Sequence, residues 1–292
     1  MIQIIILNYN AAQECLELWE QLQGFSSFEN SVVIIDNNSE LEDQQILKLN
    51  LPNEVLIFNK ENLGYAEGNR IGIELAIKNK KPYVLLLNPD IRLSPTAIDQ
   101  MLGIVEKDHS IAAIGPRICY RNNPGLIYSD GGIIDFHNGY KTSHLNFNQE
   151  IEEIDYLEMI HEVDYVNGSV FLARTEIFKK IGFMRKDFFL YFEETEWCLR
   201  AKKNNYKLLI NSNALAYHTE SFKGKNYHYY MTRNRIFLAR IEKNFDIKTI
   251  KKIGFPIFKA VSDSFHKKKF PSLEVRAKAK GFIAGICKKL KE

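Results

Sequence analysis

Paired cysteines are missing from this chain: Cys15, Cys119, Cys198 and Cys287 lie far apart with no C-x-x-C spacing, so the expectation is free thiols, buried or half-buried, with neither a zinc site nor a disulfide framework. No apolar run approaches the roughly 20 residues that a helix needs to cross a bilayer. The chain opens directly on Ile2-Gln3-Ile4-Ile5-Ile6-Leu7, without the basic segment and small-residue cleavage site of a signal peptide, so the expected location is the cytoplasmic side. Asn8-Tyr9-Asn10-Ala11-Ala12 carries no glycine-rich fingerprint after the first apolar run, which removes the dinucleotide oxidoreductases. Internal repeats and low-complexity segments are absent as well.

What is present is an ordinary globular composition, 45% hydrophobic and 26% charged, in 292 residues, enough for a full α/β core plus an appendage. The net charge of +3 conceals an asymmetry. Residues 245–292 carry 13 Lys/Arg against 4 Asp/Glu, and residues 1–244 carry 26 against 32. The expected organisation is therefore a body over 1–244 and a basic helical tail over 245–292 whose partner is an anionic surface. In the tail, Ile250, Ile253, Ile257, Val261 and Phe265 recur at helical spacing, and Val275, Ala279, Phe282, Ile286 and Leu290 repeat the pattern after Pro271. Basic amphipathic helices of this kind lie in a membrane interface. The competing expectation is a helical hairpin packed on the body or on a second copy of the chain in a homo-oligomer.

Along the body, Ile2–Asn8, Val32–Asp36, Val55–Asn59 and Tyr83–Asn88 read as buried strands, with helices over Ala11–Gln23 and Ala66–Asn79 between them. Such alternation predicts βαβ units, a mostly parallel sheet, and ligands at the carboxyl ends of its strands. Ser94-Pro95 reads as a helix start, with Ser as N-cap. Residues 111–172 read as short β pieces interrupted by an acidic stretch, Gln149–Asp164, the expected mobile loop. Glu193–Asn204 and Tyr227–Lys243 read as helices, and Lys207–Asn211 and Leu215–His218 as strands.

Polar strand tips carry the chemistry. Asp36, followed by Asn37-Asn38-Ser39, is placed either to accept from a base or ribose or to cap a turn. Asp90 in Asn88-Pro89-Asp90 follows a strand where an unpaired carboxylate would be costly, and Mg²⁺ or Mn²⁺ bridging it to a diphosphate would offset that cost; an Asx turn is the alternative. Asn62-Leu63-Gly64-Tyr65-Ala66-Glu67-Gly68-Asn69-Arg70 joins a Gly turn to a helix start, an anion-attracting arrangement that is not a Walker A sequence, with Arg70 either facing a phosphate or solvated. Glu193, Glu194 and Glu196 begin a helix after the aromatic run Phe188-Phe189-Leu190-Tyr191-Phe192. Acidic residues there are ordinary dipole partners, yet carboxylates beside apolar rings also acquire the raised pKa of a base. His218 ends a strand as either a structural residue or a ligand.

Taken in order, Asn8-Tyr9-Asn10, Asp36-Asn37-Asn38-Ser39, the segment 62–69, Leu87-Asn88-Pro89-Asp90, Val166-Asn167-Gly168-Ser169, the segment Phe189–Arg200 and Tyr217-His218 resemble the bacterial family 2 glycosyltransferases, particularly their rhamnosyltransferase-like branch for surface polysaccharides. The resemblance spans residues 1–240. It implies a GT-A fold and an inverting, metal-dependent transfer of a sugar from a dTDP- or UDP-sugar to a lipid-linked or surface glycan. It places donor contacts on Asn8, Asn10, Asp36, Asn62, Gly64, Asn69, Asn88 and Gly168, with Asp36 on the base. Asp90 and His218 would hold Mn²⁺ or Mg²⁺, and Glu194 would be the general base. Asn88 stands where the family commonly has Asp, and Glu194 where it frequently has Asp, which leaves Glu193 and Glu196 in contention. Partners implied are the nucleotide sugar, a glycan acceptor and, through 245–292, the inner face of the cytoplasmic membrane; nucleic acid is not among them. A non-catalytic nucleotide-sugar or glycan-binding module is the rival reading.

Overall fold

The computed structural model describes residues 2–25, 32–154, 159–219 and 223–290. In chain order the elements are β1 (Ile2–Asn8), α1 (Ala12–Gln23), β2 (Val32–Asp36), α2 (Leu41–Asn50), β3 (Leu56–Phe58), α3 (Gly64–Lys78), β4 (Tyr83–Leu87), β5 (Ile91–Leu93), α4 (Ala97–Val105), β6 (Ile111–Tyr120), β7 (Asn123–Ser129), β8 (Gly132–Asp135), β9 (Lys141–His144), β10 (Ile160–Glu162), β11 (Val170–Arg174), α5 (Thr175–Ile181), α6 (Glu193–Lys203), β12 (Lys207–His218), α7 (Lys225–Ile241), α8 (Ile247–His266) and α9 (Leu273–Cys287).

One sheet runs in the order β10-β12-β6-β11-β4-β1-β2-β3, with β5 on β12 and β7 on β6. Strands β4, β1, β2 and β3 are parallel, β12 is parallel to β6, and β11 is antiparallel between β4 and β6. Alternation along the strands divides the core into two layers. Ile5, Val33, Ile35, Val84 and Leu86 face α3, α5, α6 and α7, whereas Ile4, Ile6, Ile34, Leu85 and Leu87 face α1, α2 and α4. The near-continuous apolar runs of β1, β2 and β4 are what a sheet covered on both faces requires. Their polar tips consequently emerge together at one edge.

Two expectations are corrected. The strands expected at 207–211 and 215–218 are one strand, β12, because the long buried β6 pairs with both halves across an irregularity between Asn211 and Leu215. Ser94 does not cap α4. Its backbone N–H donates to Leu215 O at 2.9 Å and its Oγ accepts from Leu215 N at 3.4 Å, so it prolongs the β5–β12 pairing and the helix starts at Ala97. The tail helices pack on the body, one of the two arrangements left open by the sequence. Their apolar spacing is a packing stripe: Ile253, Ile257 and Phe282 form a buried cluster with Ile236 of α7. A Cβ on Gly281 would stand 2.4 Å from the Tyr229 carbonyl oxygen, so α9 lies directly on the α7 backbone where no larger residue fits. What α8 turns outward is a different set, with Phe255 69%, Phe258 50% and Phe265 63% exposed, followed by Phe270 at 90%.

Of the acidic stretch Gln149–Asp164, residues 155–158 lie outside the described residues. Its flanks are tied down: Ile127 N donates to Gln149 O, Ile160–Glu162 pairs with β12, and Asp164 Oδ1 accepts from Lys202 Nζ at 2.7 Å.

Candidate active site

At the β1 and β2 tips the acidic groups are fully occupied. Asn8 Nδ2 donates to Asp36 Oδ1 at 2.8 Å, to Ser39 Oγ at 3.1 Å and to Asp43 Oδ2 at 2.7 Å. Ser39 N donates to Asp36 Oδ2 at 3.1 Å, and Asn10 N donates to Ser39 Oγ at 2.8 Å. Asp36 thus caps a turn, one of the two roles open to it from the sequence, and it is 0% exposed. Exposed beside it are Tyr9 and Asn10. Asn37 extends the network by donating to Asn62 Oδ1 at 3.0 Å and to Gly64 O at 3.1 Å, while Gly64 N donates to Asn62 Oδ1 at 2.9 Å.

The start of α3 is likewise closed by protein. Gly64 has φ +77°, and a Cβ there would stand 2.3 Å from Phe189 O, so the turn requires glycine on two counts. Tyr65 N donates to the same Phe189 carbonyl at 2.7 Å. Arg70 is ion-paired with Glu74 at 2.8 Å and stacks on Phe183, and Asn69 is buried with Nδ2 on Tyr65 O. Neither of them lines the cavity described below.

A second group forms where β4, β5 and β12 meet. The antiparallel pairing of β5 with β12 sets Ile91 opposite His218, which brings Asp90 Oδ2 to 3.5 Å from His218 Nε2. His218 Nδ1 bonds the Thr219 carbonyl, which can only accept, so that nitrogen carries a proton and Nε2 is the nitrogen left facing the carboxylate. Stacking of Tyr128 on the ring at 5.2 Å fixes its plane. A carboxylate oxygen and an imidazole nitrogen facing each other form a donor pair that a divalent cation can use. One carboxylate and one imidazole suit Mn²⁺ or Mg²⁺ with further oxygens from water or phosphate, and no cluster of three or more His, Cys, Asp or Glu occurs among the described residues.

The third group is the strained approach to α6. Phe189, Tyr191 and Phe192 have φ of 64°, 68° and 75°, a left-handed run of aromatics costing on the order of 1–3 kcal/mol each. The clamp that holds them comes from α7: buried Asn234 donates through Nδ2 to the carbonyls of Phe188, Leu190 and Tyr191 at 2.9, 2.8 and 2.7 Å, and Arg233 donates to those of Asp187 and Phe188. This loop delivers three glutamates to three environments. Glu196 is paired with Arg200, with Arg200 Nε to Glu196 Oε1 at 2.7 Å and Nη2 to Oε2 at 2.9 Å. Glu193 is completely buried with both oxygens unpartnered among the described residues, and burial together with the Glu194 charge holds its pKa well above the usual range. Glu194 reaches the cavity wall, and burial raises its pKa while its own N–H and those of Thr195 moderate the shift.

Of the residues singled out from the sequence, Asn88, Gly168, Glu193, Glu194 and His218 line one cavity of about 280 Å³, whereas Asn8, Asn10, Asp36, Asn62, Gly64, Asn69 and Asp90 do not. Its remaining wall is mostly aromatic and was not anticipated: Tyr65, whose hydroxyl donates to Gly168 O at 2.5 Å, with Tyr128, His144, Tyr165, Tyr191 and Tyr227. His144 donates from Nδ1 to Tyr128 O at 3.1 Å, and burial lowers its pKa. None of the described residues of 149–164 lines the cavity. Arg233 and Asn234 gave no signal either, since an Arg-Asn pair inside a helix has no motif of its own.

A family model described as Glycosyl transferase family 2 matches residues 3–182. A hexosyltransferase of low-salt glycan biosynthesis, Agl10 of Haloferax volcanii, is 25% identical over 217 residues, which cover 71% of this chain and 63% of that protein. Among solved structures, GalNAc-T7 with UDP, GalNAc and Mn²⁺ superposes with a TM-score of 0.66 at 14% identity, covering 99% of this chain and 55% of the other. Mannosyltransferase PcManGT of Pyrobaculum calidifontis, with GDP-Man and Mn²⁺, gives 0.57 at 10% identity over 98% and 85%. Residues 1–349 of S. aureus TarS give 0.54 at 15% identity over 98% and 81%.

Proposed function

Because the chain belongs to glycosyl transferase family 2 and has the GT-A fold, we propose that it moves a sugar from a nucleotide-diphospho-sugar, dTDP- or UDP-linked, to a hydroxyl of a lipid-linked or surface-polysaccharide acceptor. The observation that carries this reading is the meeting of Asn88, Gly168, Glu194 and His218, from four separate segments, in one cavity. Agl10 is described as a hexosyltransferase, and GalNAc-T7 and PcManGT hold a nucleotide or nucleotide sugar together with Mn²⁺, which supports both the reaction class and the cofactor.

In this reading Glu194 takes the proton of the acceptor hydroxyl as its oxygen attacks the anomeric carbon opposite the diphosphate, giving inversion. Its raised pKa suits the task, and burial raises that of Glu193 beside it as well. Glu196, tied to Arg200, anchors α6. Asp90 and His218 would hold Mn²⁺ or Mg²⁺, which when bound offsets charge on the departing diphosphate. Asn88 and Gly168 face the sugar, Asn10 and Tyr9 the nucleotide, and Asp36 acts through Asn8 and Ser39 by fixing that edge. The test is transfer or hydrolysis of the donor with added Mn²⁺ by the wild type and by Asp90→Ala. Metal-stimulated sugar release that vanishes in a folded Asp90→Ala variant is expected. A wild type that binds the nucleotide and leaves the sugar attached is a binding module, and the proposal fails.

The outer face of α8 supports a membrane-surface location. Phe255, Phe258 and Phe265 stand out among Lys248, Lys251, Lys259 and Lys267, and no helix of the described residues is long and apolar enough to cross a bilayer. Each lysine near anionic headgroups contributes about 1 kcal/mol. Co-sedimentation with anionic vesicles should therefore fall with salt and with Phe255→Glu/Phe265→Glu; equal, negligible sedimentation of both proteins would reject it.

A further inference from the structure

A second cavity, of about 450 Å³, opens between β9, α7, α8 and α9 and shares Thr142, Phe192, Tyr227 and Met231 with the first. Its charge is of one sign: Lys141, Lys223, Arg235, Lys252 and Lys278 line it, and no acidic residue does. Near its wall, Glu274 is bonded to Lys278 at 2.5 Å and Asp135 acts on Arg235, which leaves three cations without an acidic counterpart among the described residues. Arg235 and Lys252 hold backbone carbonyls of residues 137–139, contacts that orient their charges and do not neutralise them. Burial lowers the Arg235 pKa to about 10, a penalty that an anion alongside would offset. Apolar groups complete the wall, Met231, Ile253, Pro256 and Ile257, and the α8 residues flanking this last pair, Phe255 and Phe258, are exposed.

Three unmatched cations beside an apolar wall, in a cavity that shares four wall residues with the one that holds Glu194, describe the complement of an amphiphilic anion. We propose that this second cavity binds the phosphate of the acceptor, a phosphate or diphosphate ester of an apolar chain, and so sets the acceptor hydroxyl toward Glu194. The inference rests on the transferase reading for the word acceptor, and on the cavity alone for the chemistry of the ligand. Lys and Arg bind phosphate as point charge and fork respectively, and the chain would leave along Pro256 and Ile257 toward the aromatic face of α8.

The test is calorimetric titration of the full chain with dodecyl phosphate below its micelle concentration, with inorganic pyrophosphate, and with dodecyl maltoside. The variant is Lys141→Glu/Lys252→Glu, both positions being exposed, with its fold checked by thermal melting. Dodecyl phosphate should bind the wild type more tightly than pyrophosphate does, and the variant should weaken it by at least an order of magnitude, about 1.4 kcal/mol, with the maltoside unchanged. Equal binding of dodecyl phosphate by wild type and variant overturns the site. Pyrophosphate binding as tight as dodecyl phosphate overturns the apolar chain, and displacement of dodecyl phosphate by UDP would put the ligand in the first cavity and overturn the assignment. Sugar transfer is read in none of these titrations, so a failure of the transferase reading and a failure of this one are told apart.

Discussion

Two buried acidic sites stand at the same edge of the sheet, and they are built in opposite ways. At the β1–β2 edge, Asp36 has a donor on each oxygen and is enclosed with Asn8 and Ser39. At the start of α6, Glu193 has a donor on neither oxygen and Glu194 faces a cavity. A carboxylate with its hydrogen bonds complete is a stable part of the frame and a poor base. One desolvated without partners favours its protonated form, which destabilises the charged protein and makes the group a proton acceptor of useful strength. In the proposed reading the first site serves geometry and the second, through Glu194, proton transfer.

The contrast breaks most decisively at Glu194. Glu194→Gln should lower turnover by a factor on the order of 10² to 10⁴ while nucleotide affinity is retained. In the wild type, kcat/KM should rise with pH through a value above the ordinary glutamate range, because the base must lose a proton that burial helps it keep. Steady-state kinetics over pH decide it; a large loss in Glu193→Gln or Glu196→Gln with Glu194→Gln still active would move the base elsewhere.

Asn234→Ala tests the support of that site. Removing the donor to three carbonyls should reduce kcat by up to about 10²-fold through misplacement of α6, with the KM for donor little changed. A uniform loss of both activity and nucleotide binding would instead mark Asn234 as a general stability residue.

Asp36→Ala, on the other side of the comparison, should cost about 1–3 kcal/mol of stability by leaving the buried Ser39 N short of an acceptor. Urea denaturation measures this, and an unchanged midpoint would show that the turn does not depend on the carboxylate. Glu193→Gln gives the smallest effect and the opposite sign. A carboxyl whose folded pKa is raised favours the folded state below the unfolded pKa and loses that advantage as pH rises through the folded pKa. The variant should therefore match the wild type near pH 4 and become more stable above it, by about 1.4 kcal/mol for the first full unit. Equal midpoints at pH 4 and pH 7 would contradict the buried, unpartnered state of Glu193.

The sheet was legible because a strand covered on both faces has to be apolar throughout, and Ile2–Asn8, Val32–Asp36 and Tyr83–Leu87 announce themselves by that requirement alone. Helix α2 was not legible, since Leu47 is its one buried residue and its remaining positions follow no apolar stripe. Asn88 and His218 were picked out at strand tips and the Glu193–Glu196 cluster at a helix start, where backbone geometry limits the place a side chain can take, whereas Gly168 and the choice of Glu194 within the cluster came from the family resemblance. The aromatic wall and the Asn234 clamp depend on contacts between distant segments, and a tyrosine or an asparagine carries no trace of such contacts in its neighbours. The tail shows the limit from another side. The spacing of Ile253, Ile257 and Phe282 correctly gave helices, but spacing cannot tell which apolar surface they cover, and that surface is α7.

The pairing of β5 with β12 has a consequence for how the molecule matures. Position 90 is synthesised well before position 218, so the Asp90–His218 pair exists only after β12 has docked beside β6 and β5. Closing so long a stretch of chain is entropically expensive and comes late in folding. A cation held by both residues binds the finished fold and not its precursors, and it would retard the peeling of the last strand from the sheet. Amide protons of residues 207–218 should then exchange more slowly with Mn²⁺ present than without it, which would make metal affinity a gauge of completed folding.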